Sequence, residues 1–103
     1  MKYEVNLTAN ACIDLQNIFM YIAFKLQSPL NATNQLNRLE EGIDTLEYMP
    51  YRFVTYDEEP WHSRNTHIMP IDSYRVLYIP DDIKKMVTVL RIIYAGSSME
   101  DKL

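Results

Sequence analysis

The side chains of this chain best suited to chemistry are two histidines, one cysteine and two pairs of adjacent carboxylates. His62 and His67 stand five residues apart, with no cysteine nearby and no carboxylate at metal-ligand spacing, so neither a zinc centre nor a two-metal site is indicated. Cys12 is the single cysteine and cannot close an internal disulfide. Its place in an apolar helical stripe suits a small buried residue better than a reactive thiol. There is no glycine-rich phosphate loop, no serine elbow and no cysteine–histidine arrangement, so the familiar cofactor enzymes are disfavoured and no cofactor is implied. Glu40-Glu41 and Asp81-Asp82 could do acid–base work, but the first pair falls on a helix exterior and the second in a turn, where solvation is the simpler role. Trp61-His62 places an aromatic ring and an imidazole on a loop, able to stack a base or seat a partner. The plainer reading has Trp61 closing the edge of the core.

The elements that must position these residues follow from periodicity. Tyr3, Val5 and Leu7 alternate with Lys2, Glu4 and Asn6, which predicts a first strand over residues 2–7. Thr8 can cap a helix over 9–27, in which Cys12, Leu15, Phe19, Ile22 and Leu26 recur at steps of three and four. Ser28-Pro29 stops that helix and opens a second, whose stripe is Ala32, Leu36, Leu39, Ile43 and Leu46, and Met49-Pro50 closes it. The two form an antiparallel hairpin with facing apolar stripes. Residues 50–63 read as a loop with a short extended piece at Arg52–Tyr56. Strands follow near 64–71, 73–79 and 86–94, joined as hairpins. In the last, Val87, Val89 and Ile93 fall on one side and Leu90, Ile92 and Tyr94 on the other, which suits a central strand apolar on both faces. The tail Ser97–Leu103 lacks periodicity and is read as loose or as a short helix.

The expected fold class is therefore α+β, in the order β-α-α-β-β-β: an antiparallel sheet with an N-terminal helical hairpin packed on one face. A length of 103 residues fits one domain, 1–103, with a single core. No apolar run is long enough to span a membrane and Met-Lys-Tyr-Glu is no signal peptide, so a cytoplasmic location and no membrane partner are expected. Ten basic residues against fourteen acidic ones leave a net charge of −4, so no overall positive field draws the chain to nucleic acid.

A pattern in the chain resembles the RelE/ParE toxin superfamily, and within it the ParE branch. It runs through Tyr3-Glu4-Val5, Thr8, Ala11, Asp14-Leu15, Ile18, Tyr21-Ile22-Ala23, Leu26, Ser28-Pro29 and Ala32. It continues through Leu39-Glu40, Ile43, Leu46, Met49-Pro50, Arg52, Glu59-Pro60-Trp61, Pro70, Tyr74, Tyr78 and the run Val87 to Tyr94. Each element is weak alone, but in order and at this spacing over residues 3–94 they are fairly specific. The resemblance implies the toxin of a type II toxin-antitoxin system, of the plasmid-stabilization kind, that inhibits growth and is held inactive by a cognate antitoxin. It also implies tyrosines and methionines left exposed for that partner, and an assembly that is a homodimer or a hetero-oligomer with the antitoxin.

Two activities of different classes are known among such toxins. A ParE-like protein binds and poisons DNA gyrase without catalysing a reaction. A RelE-like protein enters the ribosome and cleaves mRNA, where basic side chains stabilise charge developing on the phosphate. For the second, the resemblance nominates Arg75, His67 and Arg91 as catalytic, Arg75 because it follows Ser73-Tyr74 where RelE-like toxins place an arginine after a Gly-Tyr pair. Against it, Thr66 and Ile68 replace lysines of the nuclease branch, and Gly96-Ser97-Ser98 replaces a basic cluster. The gyrase inhibitor is thus the first expectation and the ribosome-dependent mRNA endonuclease the alternative, with a member that has lost toxicity as the third reading.

Overall fold

Strand β1 (Glu4–Leu7) carries the predicted alternation into the fold, turning Val5 and Leu7 onto the core. The structure, a computed structural model, describes residues 2–96. Thr8 ends β1 and caps helix α1 (Ala9–Met20): its backbone is extended and its hydroxyl accepts the Ala11 N–H at 3.1 Å. The helix does not continue regularly to residue 27. Tyr21–Lys25 form a wider π turn in which the Leu26 N–H reaches the Tyr21 carbonyl at 3.1 Å, and Gln27 leaves it in the left-handed region. Helix α2 (Pro29–Asp44) starts on proline, as Ser28-Pro29 predicts, and buries Ala32, Leu39 and Ile43.

The core-facing line of α1 is Ala11, Leu15 and Ile18. Cys12, expected inside, is exposed, and Leu26 is 55% exposed. Two causes combine. Fully buried Ala11 lets α1 lie close against the sheet, so the seam runs one residue before Cys12. The π turn then adds a residue to the turn and swings Leu26 off the stripe.

Strands β2 (His67–Ile71), β3 (Tyr74–Asp81) and β4 (Met86–Tyr94) pair antiparallel as two hairpins. The first turns at Asp72-Ser73, with Asp72 in the left-handed region and its carboxylate held by Arg38 at 2.7 Å and Gln35 at 2.9 Å from α2. Strand β1 lies parallel to β4, giving the order β1-β4-β3-β2, so the fold is α+β as expected but the sheet is mixed, with β4 central. The chain needs the two helices to return to the starting end, and that crossover makes the first strand parallel. The piece expected at Arg52–Tyr56 divides into a 3-10 turn at Pro50–Arg52 and a single bridge, Thr55 to His67.

Register shifts by one residue between β3 and β4. Tyr78 faces Val89 while Leu77 faces Arg91, which leaves Leu90 as the extra residue of a β-bulge. The faces expected for β4 change accordingly. Val87, Val89 and Ile92 join Val76 and Tyr78 in the core under the helices, and Ile93 joins Leu77 on the opposite, outer face beneath Tyr56 and Trp61. No helix among the described residues is long and apolar enough to cross a membrane.

Candidate functional site

Beyond Leu7, β1 leaves the sheet and the edge of β4 is open; α1 supplies the groups that close it. The Thr8 hydroxyl donates to the Leu90 carbonyl at 2.8 Å, meeting an acceptor that the bulge displaces. Asp14 then takes the Ile92 N–H at 2.9 Å and the Arg91 guanidinium twice, Nε at 2.7 Å and Nη2 at 2.9 Å. The Arg91 and Asp14 side chains are only 19% and 12% exposed, so this bidentate pair is partly desolvated and far firmer than a surface bridge. It stands in a groove between α1, the π turn, α2 and the end of β4, whose apolar lining includes Ile18, Tyr21, Tyr74 and Tyr94. Burial raises the Tyr74 hydroxyl above the ordinary tyrosine range, with Tyr94 and Tyr21 adding to the effect.

The three residues nominated for phosphate chemistry fall in three environments. His67 is 4% exposed on the helix-facing side of the sheet, its ring 5.4 Å from that of Tyr78 and 5.6 Å from that of Tyr51, with Nδ1 at 3.0 Å from the Asn65 carbonyl. Arg91 is bound to Asp14. Arg75 pairs with Pro70 and Ile93 across the strands, and alternation from Leu77 places it on the outer face. The sheet therefore separates His67 from Arg75, while Arg91 is held at the open edge of β4 by Asp14 of α1, so the three do not converge. Thr66, at a position where the nuclease branch carries lysine, is fully buried.

The remaining candidates have structural surroundings. Trp61 packs against Leu77 and Ile93 under the guanidinium of Arg64, 5.4 Å from its ring, so it covers the outer core cluster. His62 sets Nδ1 at 3.2 Å from the Tyr56 carbonyl. Glu40 and Glu41 are exposed on α2. Asp81 and Asp82 do more than solvate a turn. Asp81 accepts the Ile83 and Lys84 N–H groups at 3.0 Å each, and Asp82 accepts from Tyr3 at 2.6 Å and Lys85 at 2.7 Å. Those two bonds, Lys85 first, hold the Asp82 carboxyl below the usual carboxylate range. Among the described residues no cluster of His, Cys, Asp and Glu could hold a metal ion. Of Gly96-Ser97-Ser98, the two serines lie outside the described residues, as does the tail that follows.

Asp14 and Thr8 are the residues that pattern reading undervalues. Both belong to the matched pattern, and the signal for their role is an acid on α1 opposite a base on the strand that α1 covers.

With this geometry in hand, the fold defines a class: two helices on a four-stranded mixed sheet, the architecture of bacterial and archaeal toxins solved with their antitoxins. The chromosomal ParDE system of Pseudomonas aeruginosa contains a chain that superposes with a TM-score of 0.75 at 16% identity, covering 92% of this chain and 98% of that one. The RelBE2 toxin-antitoxin complex of Mycobacterium tuberculosis gives 0.65 at 22% identity, covering 94% and 95%. The archaeal RelE-RelB complex of Pyrococcus horikoshii gives 0.66 at 20% identity, covering 95% and 100%. No curated protein sequence matches the chain. The profile of the family described as ParE toxin of type II toxin-antitoxin system, parDE, matches residues 5–99. The chain belongs to the ParE toxin family.

Proposed function

We propose that this chain inhibits DNA gyrase by protein–protein binding and is neutralised by a cognate antitoxin. The observation that carries the choice of binder over nuclease is the separation of the nominated residues. Attack of a 2′-hydroxyl on the adjoining phosphate needs a proton acceptor and a cation converging on one phosphate. Here His67 is enclosed beneath the helices between Tyr51 and Tyr78, and Arg91 already has a carboxylate partner. A binding protein needs neither group free.

An antitoxin partner is supported by the complexes in which the three similar folds occur, and by exposed apolar side chains. Tyr21, Leu26 and Tyr94 at the groove are each more than half exposed, and Phe24 and Leu30 nearby more so, surface that a partner peptide would cover. The assembly is then a hetero-oligomer with the antitoxin, alongside or in place of a homodimer. Both candidate targets place the protein in the cytoplasm.

Ribosome-dependent mRNA cleavage is the second reading, and Arg75 favours it, being a half-buried arginine with no side-chain partner among the described residues. The deciding experiment runs gyrase supercoiling and coupled translation side by side on the purified chain. Lost supercoiling with intact mRNA is the expected result. Cleaved mRNA with normal supercoiling would make the chain a nuclease, and no response in either assay with normal cell growth would mark a member that has lost toxicity.

A further inference from the structure

Past the end of β1, the bonds that β4 does make reveal which of its backbone groups lack a partner. The Ile92 N–H goes to Asp14, so Ile92 turns its backbone away from β3; alternation then pairs Ile93 with Arg75 and turns Tyr94 away again. The Ala95 N–H, bonded to the Ser73 carbonyl at 2.8 Å, fits that phase. The Ile92 carbonyl and both backbone groups of Tyr94 are thus left without a hydrogen bond among the described residues. They open on the groove between α1, the π turn and α2, a space of 1060 Å³ with room for several residues of extended chain. The charged groups of its lining are closed on one another or on the turn beside it, Arg91 with Asp14 and Arg38 with Asp72. Asn17, Asn31 and Asn34 add uncharged carboxamides.

We propose that a short extended segment of the partner pairs with β4 here as a parallel strand, in line with β1, and that its groove-facing residues are apolar and uncharged. The inference rests on the reading of this groove as an antitoxin surface and specifies what the antitoxin presents to it. The direction follows from Asp14. A parallel segment sets one residue opposite Ile93: its N–H donates to the Ile92 carbonyl, its carbonyl accepts the Tyr94 N–H, and the N–H two residues on donates to the Tyr94 carbonyl. All three open groups are then used and the Asp14 bond is untouched. An antiparallel segment paired across Ile92 would press a carbonyl oxygen towards the Asp14 carboxylate, which already holds the Ile92 N–H. A helix would leave all three groups unpaired, because its own N–H and C=O groups are used within it. The two residues flanking the paired one share the face of Ile92 and Tyr94 and enter the groove, towards Ile18, Tyr21 and Tyr74. A charge on either would be desolvated with no free counter-ion in the lining.

The test uses the full chain, alone and in complex with the product of the reading frame that adjoins its gene, and reads amide hydrogen exchange, interstrand contacts by NMR and Kd. The Tyr94 N–H should exchange freely in the chain alone and at least about tenfold more slowly in the complex. Tyr94→Pro removes that N–H at an edge position where proline is tolerated, and Tyr94→Ala removes the ring alone. Proline should raise Kd about fivefold to tenfold over alanine, near the value of one hydrogen bond, with matching melting temperatures. A Tyr94 N–H that exchanges as fast in the complex, an antiparallel register, a charged groove-facing residue in the paired segment, or equal binding by the two variants overturns the proposal and leaves the antitoxin reading standing. Slow exchange of Tyr94 in the chain alone overturns it as well, since a second copy or the chain itself then fills the edge. If no complex forms, both readings fail.

Discussion

Asp14 and Arg91, 77 residues apart in the chain, meet through two hydrogen bonds of 2.7 and 2.9 Å, and the same carboxylate also holds the Ile92 N–H. One side chain of α1 thus fastens both the backbone and the side chain of β4 where β1 has left it.

Replacing Asp14 with alanine removes two charge-assisted hydrogen bonds from a partly desolvated guanidinium and the acceptor of a strand N–H together. A loss of about 2–4 kcal/mol is expected, near the cost of breaking a buried pair by removing one partner. Urea unfolding measures it. Adding Arg91→Met to Asp14→Ala should recover part of the loss, and a double variant whose losses simply add would show that the two side chains act independently.

Thr8 both caps α1 and satisfies the bulge. Thr8→Val keeps the shape and loses both bonds, so destabilisation of about 1–2 kcal/mol is expected. Thr8→Ser should stay close to wild type. A loss from Thr8→Ser with none from Thr8→Val would assign the effect to packing of the methyl group, which valine keeps, instead of the hydroxyl.

Tyr78 is fully buried and donates to the Pro50 carbonyl at 2.6 Å; burial pushes its hydroxyl well above the ordinary tyrosine pKa. A raised folded-state pKa contributes stability that is complete below the unfolded value of about 10 and is lost as pH climbs from there towards the folded value. Melting temperature should therefore fall above about pH 10. Tyr78→Phe should begin less stable by about 1 kcal/mol and decline more gently over the same range.

Asp72 behaves oppositely. Hydrogen bonds from Arg38 first and Gln35 second hold its carboxyl below the usual carboxylate range. Its contribution is present above the unfolded pKa of about 4 and fades as pH drops through the lower folded value. Asp72→Asn retains a residue tolerant of the left-handed turn and removes the charge. It should flatten the acid limb of a stability–pH curve, modestly, because the Arg38 and Asp72 side chains are 53% and 39% exposed.

Element order, the helix-opening Ser28-Pro29, the two hairpins and the central place of β4 are readable from period and turn residues alone. Three features are not. Ala11 and Cys12 both fit an apolar helical stripe, and only the close approach of α1 to the sheet selects Ala11. Alternation in Tyr3, Val5 and Leu7 reveals a buried face but carries no information about strand direction, so the parallel pairing with β4 is set by the crossover. The environments of His67 and Arg91 depend on contacts with Tyr51 and Asp14, distant in the chain and invisible to local pattern. Arg75 is legible as a position, and its lack of a partner among the described residues is not.

The bulge at Leu90 gives β4 an unusual tolerance. Omit any other interior residue and every later side chain turns to the wrong layer; omit Leu90 and Val89 simply joins Arg91 as a regular neighbour, with Ile92 still inward and Ile93 still outward. The strand can lose one residue there without exchanging its layers, at the cost of the Thr8 latch. Relatives one residue shorter at this point would still align layer for layer.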